Sequence, residues 1–155
     1  MAIEIERKYL VRNDGWREQV HHHIGYRQGY LANTAHCSVR VRVGGDTAYV
    51  NVKGRTVGAS RLEFEYPVPF EDAQIMLRDL CLPFIVEKTR YLVRYANQEW
   101  EVDVFEADNA GLVVAEIELE HEAQAITLPP WVGEEVTDQV RYYNSSLAVA
   151  PYTRW

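Results

Sequence analysis

Val39-Arg40-Val41-Arg42-Val43 alternates apolar and cationic residues without a fault. Gly44-Gly45-Asp46 follows as a turn and Tyr49 to Lys53 reads as a second strand, so the stretch is a β-hairpin. Successive side chains of a strand point to opposite faces, which gathers Arg40 and Arg42 on one side and the three valines on the other. The same period of two extends outward in both directions. Ile3-Glu4-Ile5-Glu6 alternates near the start, with Lys8 and Leu10 continuing it, and Arg61 to Val68 alternates after the hairpin. Val86 to Tyr95 pairs with Glu99 to Phe105 across Ala96-Asn97-Gln98, and Gly111 to Glu120 is the last clear strand.

Helical patterns are fewer. Glu71 to Leu82 carries Ala73, Met76, Leu77 and Leu80 at helical spacing, and Pro83 ends it. Trp16 to His21 reads as a short helical connection, Glu122 to Ile126 as about one turn, and Val140 to Val149 as a C-terminal helix stopped by Pro151. There is no βαβ rhythm, internal repeat or linker. The expectation is a mainly β chain: one domain over residues 1–155, with antiparallel strands in a closed or nearly closed barrel and a few short helices.

Hydrophobic residues make up 47% and charged residues 25% of the 155, which suits a folded soluble domain. No apolar h-region precedes Glu4, so no secretory signal is expected, and no apolar stretch is long enough to span a bilayer. Cys37 and Cys81 form no CxxC pair and read as two free thiols in a reducing cytoplasm. A formal net charge of −7 argues against non-specific nucleic-acid binding.

The charges themselves recur two apart. Glu4, Glu6 and Lys8 share a face, as do Arg61, Glu63 and Glu65, Lys88 and Arg90, Glu101 and Asp103, and Glu116, Glu118 and Glu120. Such a face ordinarily marks the solvated outside of a barrel. Three features turn it inward here. The chain has three lysines, Lys8, Lys53 and Lys88, and each falls within a strand. The strands segregate by sign, whereas a solubility surface mixes signs along each strand. Cations and acids are also present in comparable sets. A barrel lined by both signs needs water, metal or an ionic ligand inside, because unpaired buried charge is too costly. Carboxylates suit hard cations and Lys and Arg suit phosphate, so the pattern describes a site for a metal-chelated polyphosphate.

Glu4-Ile5-Glu6-Arg7-Lys8 is an ExExK motif. It is followed in order by Gln28-Gly29-Tyr30-Leu31, Arg40-x-Arg42, Val52-Lys53-Gly54, Glu63-x-Glu65, Glu87-Lys88-x-Arg90, Val102-Asp103 and Glu116-x-Glu118-x-Glu120. This order resembles the CYTH, or triphosphate tunnel metalloenzyme, family over nearly the whole chain. The resemblance implies an eight-stranded antiparallel tunnel. It implies that Glu4, Glu6, Glu116 and Glu118 hold Mg²⁺ or Mn²⁺, with Asp103 a further metal-side candidate. It also implies that Lys8, Arg40, Arg42, Lys53, Lys88 and Arg90 line the phosphate path. Arg61, Glu63 and Glu65 are further tunnel-lining candidates, the two acids binding metal or orienting the cations. The tail Asp138-Gln139-Val140-Arg141-Tyr142-Tyr143-Asn144 resembles the family's C-terminal segment and is expected near one tunnel mouth.

The reaction expected from that resemblance is hydrolysis of a terminal phosphoanhydride, with inorganic triphosphate the leading substrate and thiamine or nucleoside triphosphates as alternatives. Glu4, Glu6, Lys8 and Glu118 are the catalytic candidates, and no protein nucleophile is required: GxSxG is absent. A class IV-type adenylate cyclase and a non-catalytic polyphosphate-binding module are the other readings; no segment builds an obvious base pocket. A homodimer is open. His21-His22-His23 lacks a nearby acidic or Cys partner in sequence and reads as a solvated loop, and the tyrosines read chiefly as packing residues.

Overall fold

A computed structural model describes residues 3–155; Met1 and Ala2, which open the segment read for a signal, lie outside the described residues. The strands are β1 (Ile3–Val11), β2 (Val20–Asn33), β3 (Cys37–Gly44), β4 (Thr47–Gly54), β5 (Ser60–Pro67), β6 (Val86–Tyr95), β7 (Gln98–Phe105), β8 (Val113–Glu118) and β9 (Val132–Glu135). Their order in the sheet is β5-β4-β3-β2-β6-β7-β8-β1-β9, and β5 also pairs with β1. That extra pairing closes eight antiparallel strands into a barrel, as the alternation predicts. The ninth strand, β9, joins the later half of β1, from Tyr9 to Val11, outside the ring. The early half of β1 makes the closure: Ile3 faces Leu62, Glu4 faces Arg61 and Ile5 faces Ser60.

The hairpin turns follow backbone chemistry. Gly45 takes φ +60 between β3 and β4, and Ala96 and Asn97 take φ 49 and 60 between β6 and β7, the left-handed pair that a two-residue hairpin of matching twist needs. The helix expected over 71–82 is α1 (Phe70–Asp79). It stops short because the Leu82 amide donates to the Tyr30 carbonyl at 2.9 Å, tying the chain to β2 instead of to another helical turn. Ala73 and Leu77 of α1 pack on Val41, Val43 and Ala48, so the valines of the opening hairpin face outward under a helix.

A second outer cluster joins Tyr9, Trp16, Trp100, Val102, Ala115, Ile117 and Trp131. Trp16 arrives there on a 3₁₀ turn over Asp14–Gln19, whose Asn13 side chain accepts from the Gly15 amide at 2.9 Å. The sequence expectation put a connection through His21 and a loop at His21–His23. Instead β2 begins at Val20, and His22 and His23 pair with Leu92 and Tyr91 of β6. Their side chains are exposed, which hid the strand: no apolar alternation marks it.

The inward faces change character along the barrel. Glu4, Glu6, Lys8 and Leu10 follow one another on β1, Arg90, Lys88 and Val86 on β6, Glu101, Asp103 and Phe105 on β7, and Glu118, Glu116 and Val114 on β8. Each series ends in an apolar residue, and these meet Leu147 and Ala148 of the C-terminal segment. That segment fills this end of the barrel. It is not the continuous helix expected over 140–149. A 3₁₀ turn over Val140–Tyr142 gives way at Tyr143 (φ −70, ψ 142) to α2 (Asn144–Leu147). The Tyr143 hydroxyl donates to the Thr137 carbonyl at 2.8 Å, and the extended Tyr143 delivers Asn144 to the interior.

Candidate functional site

Inside the barrel is a cavity of about 330 Å³. Its lining includes every charged site residue named from sequence except Asp103: Glu4, Glu6 and Lys8 from β1, Arg40 and Arg42 from β3, and Lys53 from β4. Arg61, Glu63 and Glu65 come from β5, Lys88 and Arg90 from β6, and Glu116 and Glu118 from β8. The period of two did this, since residues i and i+2 of a strand share a face. Glu120 does not join them: β8 ends at Glu118 and Glu120 is exposed, its amide held by the Gln124 side chain at 2.7 Å.

Asp103 is fully buried, away from the cavity surface. Its Oδ1 accepts from Arg90 Nε at 2.8 Å, and its Oδ2 accepts from Arg90 Nη2 at 2.9 Å and Lys88 Nζ at 2.7 Å. With both oxygens engaged, Asp103 fixes two cations in place. Burial opposes its ionisation, but Arg90 and then Lys88 hold its carboxyl below the usual range. Burial pushes the Lys88 ammonium down to about 8, against the pull of Asp103.

The acids of β1 and β8 are arranged differently. Glu6 lies opposite Glu118, and Lys8 opposite Glu116. Burial, then the charges of Glu116 and Glu4, push the Glu6 carboxyl well above its ordinary value. Burial would raise Glu116 too, but Lys8 and Arg90 and a hydrogen bond with Glu6 hold it well below. The two carboxyls of this pair are thus driven in opposite directions, Glu6 upward and Glu116 downward. Glu118 is raised by burial and by Glu4. Glu4 is held low despite burial by a hydrogen bond with Glu63 and by Lys53 and Arg61, at 3.1 and 3.5 Å.

The cations divide into two groups. Lys53 sits between Glu4 (3.1 Å) and Glu63 (2.9 Å), and Lys88, Arg61 and Arg90 are likewise paired. Among the described residues, Lys8 and Arg40 have no carboxylate within 4.0 Å, and Arg42 has Glu65 at 3.7 Å. The buried Nε atoms of Arg40 and Arg42 have no hydrogen-bond partner. Arg42 also stacks on Tyr26, 4.3 Å from the ring centroid. Burial and then the neighbouring Arg40 charge lower the Arg42 pKa, the signature of crowded like charges.

Glu4, Glu6, Glu116 and Glu118 form an all-oxygen donor set on two paired strands, the chemistry of a hard divalent cation. Burial and the neighbouring acids disfavour the Glu6 charge, and a cation among them would offset both, so the donor chemistry fits a metal. Among the described residues no three of them converge on one point as a closed cage.

Sequence reasoning named Glu101 only as a companion of Asp103, and missed Tyr26, Thr137, Tyr143 and Asn144 at the cavity. The spacing of Glu101 from Asp103 was a usable signal. The family resemblance put the tail through Asn144 near one tunnel mouth, but which of its side chains enter depends on how a non-periodic tail folds back.

A family model for the CYTH domain matches residues 2–151. The chain belongs to the CYTH domain family. An inorganic triphosphatase of Acetivibrio thermocellus is 44% identical over 152 residues, covering 98% of this chain and 97% of that protein. An inorganic triphosphatase of Nitrosomonas europaea is 37% identical, covering 95% and 97%. A crystal structure of an inorganic triphosphatase superposes with a TM-score of 0.71 at 35% identity, over 97% of this chain and 98% of that one. A Pyrococcus horikoshii protein of 18% identity shares the fold, with a TM-score of 0.59 over 76% and 80%. The CYTH barrel here thus places the ordered charges of the sequence around one interior.

Proposed function

We propose that this CYTH barrel acts as a single unit that hydrolyses inorganic triphosphate to pyrophosphate and phosphate with Mg²⁺ or Mn²⁺. The observation that carries the reading is the set of under-compensated cations, Lys8, Arg40 and Arg42, in one cavity with the acids of β1 and β8. A polyanion supplies the charge that the protein withholds from them. Arg40 and Arg42 bind phosphoryl oxygens bidentately, and Lys8, two residues from Glu6 on the same strand face, reaches phosphate beside the acids. Lys53, Lys88 and Arg90, already oriented by Glu63, Asp103 and Glu101, complete the cationic surface.

Glu4, Glu6, Glu116 and Glu118 would hold the metal, which when bound neutralises phosphoryl charge and lowers the pKa of water. Water attacks the terminal phosphorus, the bridging P–O bond breaks and pyrophosphate leaves. Glu6 or Glu118, through a carboxylate oxygen that the metal leaves free, would accept the proton that the water loses. The surrounding cations stabilise the charge that grows on the leaving oxygen. No organic moiety is accommodated by a dedicated apolar pocket in this lining, which supports the inorganic substrate over thiamine or nucleoside triphosphates. Among the described residues no helix is long and apolar enough to cross a membrane. Cys37 and Cys81 are free thiols, which supports a cytoplasmic setting.

A phosphate-release panel of inorganic triphosphate, pyrophosphate, ATP and thiamine triphosphate, each with Mg²⁺ and with Mn²⁺, tests this. Turnover fastest on inorganic triphosphate is expected. Cyclic AMP formation from ATP, or no release from any substrate, would overturn it.

A further inference from the structure

Asn144 reaches the cavity from outside the barrel, as the first residue of α2. Its Oδ1 accepts two hydrogen bonds, from Lys88 Nζ at 3.1 Å and from Gln28 Nε2 at 2.9 Å. An ammonium has no acceptor capacity, so Lys88 fixes which end of the carboxamide faces it: the oxygen. Asn144 in turn fixes Gln28, whose amide nitrogen must face that oxygen. The consequence appears one bond further on. Gln28 is fully buried and its Oε1 is left without a partner. A buried orphan acceptor is a cost that native interiors rarely carry, and it is expected at functional sites.

The fixed orientation also decides where the Asn144 Nδ2 amide lies. It is turned away from Lys88 and Gln28, it makes no hydrogen bond among the described residues, and it is not among the sealed unpartnered atoms. Two N–H donors of a neutral side chain are therefore unspent among the described residues, on a residue that lines the cavity. Beside them, Lys88 spends two of its three donors on Asp103 and Asn144, leaving one. Lys8 is held at the same segment by the Tyr142 carbonyl at 3.5 Å and lies 5.3 Å from the Tyr143 ring centroid.

We propose that Asn144 is a substrate-binding residue whose Nδ2 donates to the innermost phosphoryl group of the bound triphosphate, between Lys8 and Lys88. This rests on the triphosphatase reading above. A neutral donor at the filled end of the barrel binds anionic oxygens without placing another cation beside Lys88 and Arg90. It makes the C-terminal segment part of the substrate site as well as a plug.

The test is calorimetric binding of inorganic triphosphate, alongside steady-state kinetics, for the full chain and two variants. Asn144→Asp keeps the oxygen that Lys88 and Gln28 bond but loses the donor; Asn144→Leu is uncharged and loses both. Affinity for triphosphate is expected to fall more than about tenfold in each, appearing in KM more than in kcat. A role confined to orienting Lys88 would spare Asn144→Asp, and bare charge repulsion would spare Asn144→Leu; either result overturns the proposal. In a Lys88→Met background Asn144→Leu should still weaken binding, and no further loss there would place its effect in Lys88 and overturn the donor role. A wild-type protein that binds triphosphate without hydrolysing it sinks the triphosphatase reading alone. One that binds none sinks both.

Discussion

Two pairs of buried ionic groups in this barrel have opposite logic. At the Lys88–Asp103–Arg90 corner, every oxygen of the acid meets a cation, at 2.7 to 2.9 Å. Across β1 and β8, Glu6 and Glu116 put two acids side by side, and their carboxyls are driven in opposite directions. The first arrangement is complete without a ligand. The second is complete only when something positive arrives. Both corners arise from the same period-two spacing, so spacing alone does not separate scaffolding charge from charge reserved for a ligand. Bonding distance does: both oxygens of Asp103 accept from cations within 2.9 Å, whereas Arg61 and Arg90 stand 4.0 and 3.7 Å from Glu6 and Glu116.

The largest expected effect comes from removing the cation that the second corner awaits. With EDTA, phosphate release from triphosphate should fall by more than about a hundredfold and return with Mg²⁺ or Mn²⁺; survival of activity would show that the acids of β1 and β8 serve another end. Next, the two corners should respond to neutralisation with opposite signs in stability. Asp103→Asn leaves Lys88 and Arg90 under-compensated and should cost about 3 kcal/mol in urea unfolding. Glu6→Gln relieves like-charge crowding and should stabilise by about 1 kcal/mol, while turnover falls about a hundredfold. If both variants destabilise equally, the distinction between the corners is lost.

A smaller loss is expected at the under-compensated cations. Lys8→Ala or Arg42→Ala should lower kcat/KM more than about tenfold with an unchanged circular-dichroism spectrum; wild-type kinetics would leave these side chains without a role in binding.

The comparison is sharpened further by a pH dependence at Glu101, which sits between the corners. Burial raises its carboxyl from 4.5 to about 7 against the pull of Arg90, with Glu116, Asp103 and Glu118 adding to the rise. The unfolded chain ionises there before the folded one does. Glu101 therefore costs nothing below pH 4.5, costs progressively more as pH rises to about 7, and costs a constant amount above that. Glu101→Gln should match the wild type near pH 4 and exceed it by about 2 kcal/mol near pH 8, read from urea midpoints. Parallel curves would remove the burial argument.

Much of this was legible in the chain. Glu4-Ile5-Glu6-Arg7-Lys8 and Val39 to Val43 announce inward charge and outward apolar residues because the strand period is rigid and the outer face needs covering by α1. What stayed hidden had no period to reveal it. His21–His23 lie in a strand whose side chains face water, so composition read as a loop. Asp103 shares the spacing of the cavity acids, yet it is buried with both oxygens bonded to Arg90 and Lys88, which spacing does not reveal. Asn144 depends on a bend at Tyr143 that the apolar residues of the tail, Leu147 and Ala148, enforce by burying themselves at the end of the barrel.

The closure of the ring is short. β3 and β4 stay paired from Cys37–Gly54 to Gly44–Thr47, but β1 and β5 meet only from Ile3–Leu62 to Ile5–Ser60 before β9 takes over the same edge of β1. Backbone amides along that stretch should exchange with deuterium before those of the other joints. Glu4 and Arg61 straddle it, bonded at 3.5 Å. The barrel's least secured joint is thus clasped by an ion pair exposed to its own cavity, so an incoming polyanion competing for Arg61 would loosen the ring at the moment it fills the interior.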